Sequence, residues 1–260
     1  MEHIQKILNQ VMTAQNFITS QNQTTETTTT QKIYDCPDCK DTGFIYNPEK
    51  NAWKPCKCVE VARCKRLIEK SGISEAFQEK TVNGYRPKNE QQKAAKKMAA
   101  DYIRKFEAIK ANRNNSIAFL GQAGSGKTHL IIAIANALLK GGIGVIYMQY
   151  REALTYLKQL IMDDYIYQRE IGKYKDAKVL LIDDIYKGAK NQGRVNESEM
   201  RIMFEIINCR YLAKLPVLIS GEFDIDSMVD MDEATGSRIA EMCSGRIVVF
   251  EGKELNHRMG

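Results

Sequence analysis

Ile117-Ala118-Phe119-Leu120-Gly121-Gln122-Ala123-Gly124-Ser125-Gly126-Lys127-Thr128 runs from an apolar segment straight into a glycine-rich loop. From Gly121 it fits G-x-x-x-x-G-K-[ST] without deviation. Glycines permit backbone angles and close approach that a Cβ would forbid, so successive N–H groups can point at phosphate oxygens. In such a loop Lys127 brings a point charge to the β- and γ-phosphates, and Thr128 offers a hydroxyl to Mg²⁺. The four residues ahead of it read as a buried strand, and a helix is expected over 129–140. That helix adds the positive end of its dipole to the loop. The pattern implies ATP and Mg²⁺, with Gly121, Gly124, Ser125, Gly126, Lys127 and Thr128 as binding residues.

Outward from the loop, apolar runs at 144–148, 179–182, 216–219 and 247–250 read as further strands. Helical patterns separate them at about 91–111, 150–167, 196–213 and 235–242. Strands that are apolar throughout and alternate with helices predict an α/β fold with a parallel sheet covered on both faces. Val179-Leu180-Leu181-Ile182-Asp183-Asp184 ends in two carboxylates, 56 residues after Lys127. In a phosphate-loop fold that strand end points at the metal. Asp183 is expected to hold Mg²⁺ and Asp184 to orient or activate the attacking water. Ser220, ending the next strand, is either a polar group that reaches the γ-phosphate or water, or part of a plain turn. Arg238 follows Gly236-Ser237 near a helix start, and its chemistry alone makes it a surface salt-bridge residue.

Ahead of the core, Cys36, Cys39, Cys56 and Cys58 form a C-x₂-C-x₁₆-C-x-C array. Four thiolates satisfy Zn²⁺ tetrahedrally, and an all-cysteine set with no open position predicts a structural zinc. Cys64 is an alternative fourth ligand, because the second pair is tighter than usual. A redox pair at Cys36 and Cys39 would lack its βαβ context. Residues 4–12 carry apolar positions at helical spacing, and a Thr-rich run at 19–30 reads as linker. The expected division is 1–70 as an N-terminal module, 71–90 as linker and 91–260 as ATPase core. Hydrophobic content of 43% and a net charge of +6 suit a soluble protein, and are too mild to establish nucleic-acid binding. No run reaches the roughly 18 apolar residues of a membrane span, and the N-terminus lacks a secretory signal, so a cytoplasmic location is expected.

These features together resemble the bacterial and phage replicative helicase loaders of the DnaC/DnaI type. Cys36-Pro37-Asp38-Cys39-Lys40-Asp41-Thr42-Gly43, Pro55-Cys56-Lys57-Cys58, Asn83-Gly84-Tyr85-Arg86-Pro87, the phosphate loop with His129-Leu130, Leu181 to Ile185, Cys209-Arg210-Tyr211 and Gly236-Ser237-Arg238 carry the resemblance. It implies an AAA+ P-loop core and adds His129 to the binding residues. Ser220 takes the sensor-1 position and Arg238 becomes an arginine finger. It also implies an ATPase, slow and switch-like, whose partners are a hexameric replicative DNA helicase, single-stranded DNA and further copies of itself. The N-terminal module would contact the helicase, and the segment from Tyr150 to about Glu170 would face DNA. An IstB-like transposition helper shares the core and is the alternative. The chain departs from the pattern in its Asp-Asp pair, in Gly221-Glu222 where an asparagine is expected, and in ending too soon after Phe250 for a helical lid.

Overall fold

A computed structural model describes residues 34–70, 75–188 and 195–252. The expected helix over residues 4–12 and the Thr-rich linker lie outside them. Two compact units divide the chain, Met1–Asp41 and Thr42–Gly260. Of the first, residues 34–41 are described: a turn in which the Asp41 carboxylate accepts from the Asp35 and Cys36 amides at 3.2 and 2.9 Å. The Lys40 amide donates to the Cys36 carbonyl at 2.9 Å.

The second unit opens with an antiparallel hairpin, β1 (Phe44–Asn47) and β2 (Ala52–Pro55). Helices α1 (Lys57–Lys70) and α2 (Glu75–Gln78) lead to α3 (Glu90–Ile109). Asn89 caps α3 by accepting from the Gln92 amide, so the helix starts where the polar cap sits. Ala95, Ala99, Tyr102 and Phe106 recur along one face of it, and all four are buried.

The core then alternates strand and helix: β3 (Ile117–Gly121), α4 (Lys127–Lys140), β4 (Val145–Gln149), α5 (Tyr150–Leu160), α6 (Asp164–Lys175), β5 (Val179–Ile185), α7 (Glu197–Ala213), β6 (Val217–Gly221), α8 (Ile225–Met231), α9 (Glu233–Met242) and β7 (Ile247–Phe250). The five core strands form one parallel sheet in the order β4-β5-β6-β3-β7. Alternation along each strand splits the core in two. Ile117 and Phe119 pack on the face that holds α3 and α4. Ala118 and Leu120 face the opposite side, with α5, α7 and α9. Both faces need apolar side chains, which is why these strands read as unbroken apolar runs.

The helical pattern expected over 150–167 is two helices. Asp163 accepts from the Ile166 amide and caps α6, breaking the run at 161–163. Apolar spacing continues across the break through Ile161, Met162 and Tyr165, but these side chains are exposed. No helix among the described residues is long and apolar enough to cross a membrane.

Candidate functional site

Strands β3, β4 and β5 end together, and the crevice beyond their carboxyl ends is where a parallel sheet of this kind presents a ligand site. A cleft of about 760 Å³ opens there. Its lining includes Gly124, Gly126, Lys127, Thr128, His129, Asp183 and Asp184 from the sequence reading.

The phosphate loop bends through Gly121, Gly124 and Gly126 at φ of 97°, 76° and 95°, a region closed to most side chains. At Gly126 a Cβ would fall 2.6 Å from the Tyr85 ring, and at Gly121 one would fall 2.3 Å from the Phe250 carbonyl oxygen. The loop is held from behind. Tyr85 donates through its hydroxyl to the Ser125 carbonyl at 2.9 Å, and Gln92 Nε2 donates to the same oxygen at 3.3 Å. Lys96 Nζ in turn donates to the Tyr85 carbonyl at 2.8 Å. Gly121 and Ser125 therefore shape the loop from behind the cleft wall; the Ser125 hydroxyl donates to the Gln122 carbonyl at 2.8 Å.

Lys127 is 5% exposed, and its ammonium donates to the Gly121 and Gln122 carbonyls at 2.8 and 2.7 Å. Thr128 Oγ1 donates to Asp183 Oδ1 at 3.0 Å, joining the first turn of α4 to the end of β5. The His129 ring lies 3.0 Å from the Thr81 carbonyl and edge-on to Tyr85. Burial lowers its pKa, with the Thr81 carbonyl acting the other way.

Asp183 is the hub. Ser220 Oγ donates to its Oδ1 and Tyr147 Oη donates to its Oδ2 at 3.0 Å. Burial pushes the Asp183 carboxyl up; the Ser220 hydroxyl pulls it down, the Asp184 charge adds to the rise, and the Thr128 and Tyr147 hydroxyls offset part of it. A buried carboxylate beside a threonine hydroxyl is a set of hard oxygen donors, which fits a small divalent cation. Asp184 sits at φ 58°, on a register break between Ile182 and Ile185, and pairs with Lys187 at the cleft mouth. Ser220 is fully buried against Asp183 and also accepts from the Asp184 amide at 3.0 Å, so it reaches the site through Asp183.

Arg238 lies away from this cleft. Its guanidinium packs 5.0 Å from the Phe204 ring centroid and donates to Asn208 Oδ1 at 3.0 Å. It therefore does not join its own chain's site. Reasoning from sequence did not single out Tyr147, Gln149 or Lys187, all of which line the cleft. Tyr147 and Gln149 reach it because β4 pairs with β5, Gln149 beside Asp183, a neighbourhood that no local sequence pattern signals.

The sulfurs of Cys36, Cys39, Cys56 and Cys58 all lie within 4.8 Å of one another. Tetrahedral zinc with bonds of about 2.3 Å sets its sulfurs about 3.8 Å apart, so the donor set fits. Nothing is described of the Cys64 side chain. The expected result of elemental analysis on purified protein is about one zinc per chain. Changing Cys36 and Cys39 together to Ser should remove it, and full retention would refute the ligand set.

A family model described as IstB-like ATP binding protein matches residues 61–227. The phage-like element PBSX protein XkdC of Bacillus subtilis (strain 168) is 38% identical over 233 residues, covering 87% of this chain and 86% of that protein. The replicative helicase loader DnaC of Escherichia coli (strain K12) is 26% identical over 180 residues, 69% of each chain. Among solved structures, the DnaC helicase loader superposes with a TM-score of 0.58 at 22% identity, over 68% of this chain and 100% of that one. That likeness shows a shared fold, a parallel sheet covered by helices with the phosphate loop described above. With the family model spanning the nucleotide cleft and the XkdC match running through most of both sequences, the chain belongs to the IstB-like ATP binding protein family.

Proposed function

We propose that this protein is an ATP-dependent helicase loader, a nucleotide-controlled switch that binds a hexameric replicative helicase and delivers it to single-stranded DNA. The observation that carries this reading is the four-cysteine cluster ahead of an ATP-binding core, on a chain whose relatives include a protein named as a replicative helicase loader. Residues 1–70 are the partner-binding module, 71–90 the linker and 91–260 the ATPase core, with zinc holding the module together. A region that small has little core of its own and depends on the metal for folding.

In the core, Lys127 and the loop amides bind the β- and γ-phosphates. Thr128 and Asp183 would hold Mg²⁺, which when bound would supply positive charge against the phosphates. Asp184 orients the attacking water once it leaves Lys187. Ser220 and Tyr147 fix the Asp183 carboxylate. Arg238 serves a neighbouring copy, because its guanidinium is remote from its own cleft and already oriented by Phe204 and Asn208. Hydrolysis on this reading is slow, and nucleotide state biases assembly and partner affinity. Substituting Ser220 by Ala should lower turnover by about tenfold while ATP affinity stays within about threefold, the pattern of a group that acts only on the chemical step. Equal loss in both, measured by steady-state kinetics and equilibrium binding, would refute the assignment.

The test of the loader reading is co-purification with the replicative hexameric helicase of the same source, in ATP and Mg²⁺. A stable complex that is lost when Cys36 and Cys39 are both Ser supports it. The family's IstB-like description favours a second reading, a transposition helper ATPase. Failure to bind helicase in any nucleotide state, with zinc loaded and ATP bound, would leave that reading in its place.

A further inference from the structure

The nucleotide cleft occupies the carboxyl ends of the strands, and a second cleft of about 790 Å³ opens at the opposite end, along the outer edge of β4. Gly144, Val145 and Ile146 form its floor. Helix α1 and helix α6 form its walls, and the turn before β5 closes it. Five cations converge on it from these three places: Arg63 and Arg66 from α1, Arg169 and Lys173 from α6, and Lys178 from the turn.

The charges are not balanced within the chain. Two carboxylates also line the groove, Glu60, which pairs with Lys178, and Asp176, while Arg169 and Lys173 share the carboxylate of Glu170, so five cations face three anions. Arg63 and Arg66 form no ion pair among the described residues, and both are exposed. A solvated helix face would spread such charges over one element. Here two helices and a turn turn theirs toward one groove, and the glycine at its floor leaves room for close approach.

Spacing points to a repeating anion. Arg63 and Arg66 are three residues apart, Arg169 and Lys173 four, so each pair occupies one helix face with about 5 to 6 Å between Cβ atoms. That approximates the step between phosphates in an extended strand. Three of the five cations are arginines, whose planar forks match phosphate oxygens. Among the described residues no aromatic side chain lines the groove, which leaves no platform there on which bases would stack. We infer that this groove binds the sugar–phosphate backbone of a single nucleic-acid strand, without reading its sequence. A groove between two helices takes one backbone, whereas a duplex needs a broader face.

The inference deepens the loader reading by assigning the strand a place, and rests on that reading only for the strand being DNA. Because the groove is at the far end of the sheet from the nucleotide, binding there needs neither ATP nor helicase. The experiment is fluorescence anisotropy of a labelled oligothymidine of about 20 nucleotides, titrated with the full chain at several salt concentrations without nucleotide. Arg63→Glu with Arg66→Glu should weaken binding at least about tenfold and flatten the salt slope by about 1.4, the contribution of two phosphate contacts on a single strand. The pair Lys97→Glu and Lys105→Glu, the same charge change on α3, should leave both within about twofold. Circular dichroism confirms that each variant is folded. Equal loss in the two pairs would mean that net charge alone attracts the strand, and would overturn the inference. So would unchanged binding in the α1 pair, no binding by the wild type, or a duplex of equal length binding more tightly than the strand. Failure of the groove with helicase binding intact would leave the loader reading standing.

Discussion

Replacing Lys127 by Ala should weaken ATP binding by at least about a hundredfold while leaving the chain folded. Lys127 is 5% exposed and lines the cleft beside Gly124, Gly126 and Thr128. A unit charge about 4 Å from a phosphate, at the effective dielectric of a partly buried site, is worth about 4 kcal/mol, and a hundredfold loss needs only about 3. Folding should survive. Lys127 donates to the Gly121 and Gln122 carbonyls from the cleft that it lines, so water entering that cleft can replace the ammonium on those oxygens once the side chain is gone. The clamp behind the loop, Tyr85 and Gln92 on the Ser125 carbonyl, does not involve Lys127 at all. Isothermal titration calorimetry with ATP and Mg²⁺ measures the effect. A dissociation constant within about threefold of the wild type would mean that the loop amides alone hold the phosphates.

How much of this site could be read from sequence depends on how local each contact is. The phosphate loop is one continuous stretch, so its glycines, Lys127 and Thr128 were legible residue by residue. The five core strands were legible because burial on both faces removes every polar interruption. Helix α8 escaped because its seven residues between Asp224 and Asp232 are too few for apolar spacing to stand out. The break between α5 and α6 escaped because apolar spacing runs on through Ile161 and Met162 while the Asp163 cap carries the signal. The residues around Ser220 allow either a group reaching the γ-phosphate or water or a plain turn, and its side chain turns into the sheet toward Asp183, a contact across 37 residues. The support of the loop by Tyr85 is equally non-local, 40 residues from its acceptor. No periodicity encodes such pairs; they follow from which strands become neighbours.

Arg210 is the extreme case, because nothing in Cys209-Arg210-Tyr211 tells what its side chain meets in the fold. It is fully buried in α7, and its guanidinium donates to four carbonyls. Nη1 reaches those of Tyr174, Lys175 and Ala177 at 2.8, 3.2 and 2.9 Å, and Nη2 reaches that of Pro216 at 2.7 Å. These oxygens belong to the last turn of α6 and to the turns entering β5 and β6. One side chain thus closes the carboxyl end of a helix, where orphan carbonyls and the negative pole of the dipole both favour a cation. Burial pushes its pKa down to about 9, which still leaves it charged at neutral pH.

Arg210→Met keeps much of the volume and removes every donor. Four buried carbonyls then lose their partner, and even a fraction of the 1–3 kcal/mol typical of each puts the loss at about 3 to 5 kcal/mol. For a chain of this size that corresponds to a fall in Tm of roughly 10 °C, read by circular dichroism. Arg210→Lys should recover only part of it, because a single ammonium cannot span oxygens from three segments as the planar fork does. Full recovery by Lys would show that the charge alone suffices, and a melting point within about 2 °C of the wild type for Met would mean that water or neighbouring amides satisfy those carbonyls. The same loss should loosen α6 before the sheet, since three of the four bonds hold that helix and the turn after it. Amide exchange in 164–178 should then accelerate ahead of exchange in β3 and β6.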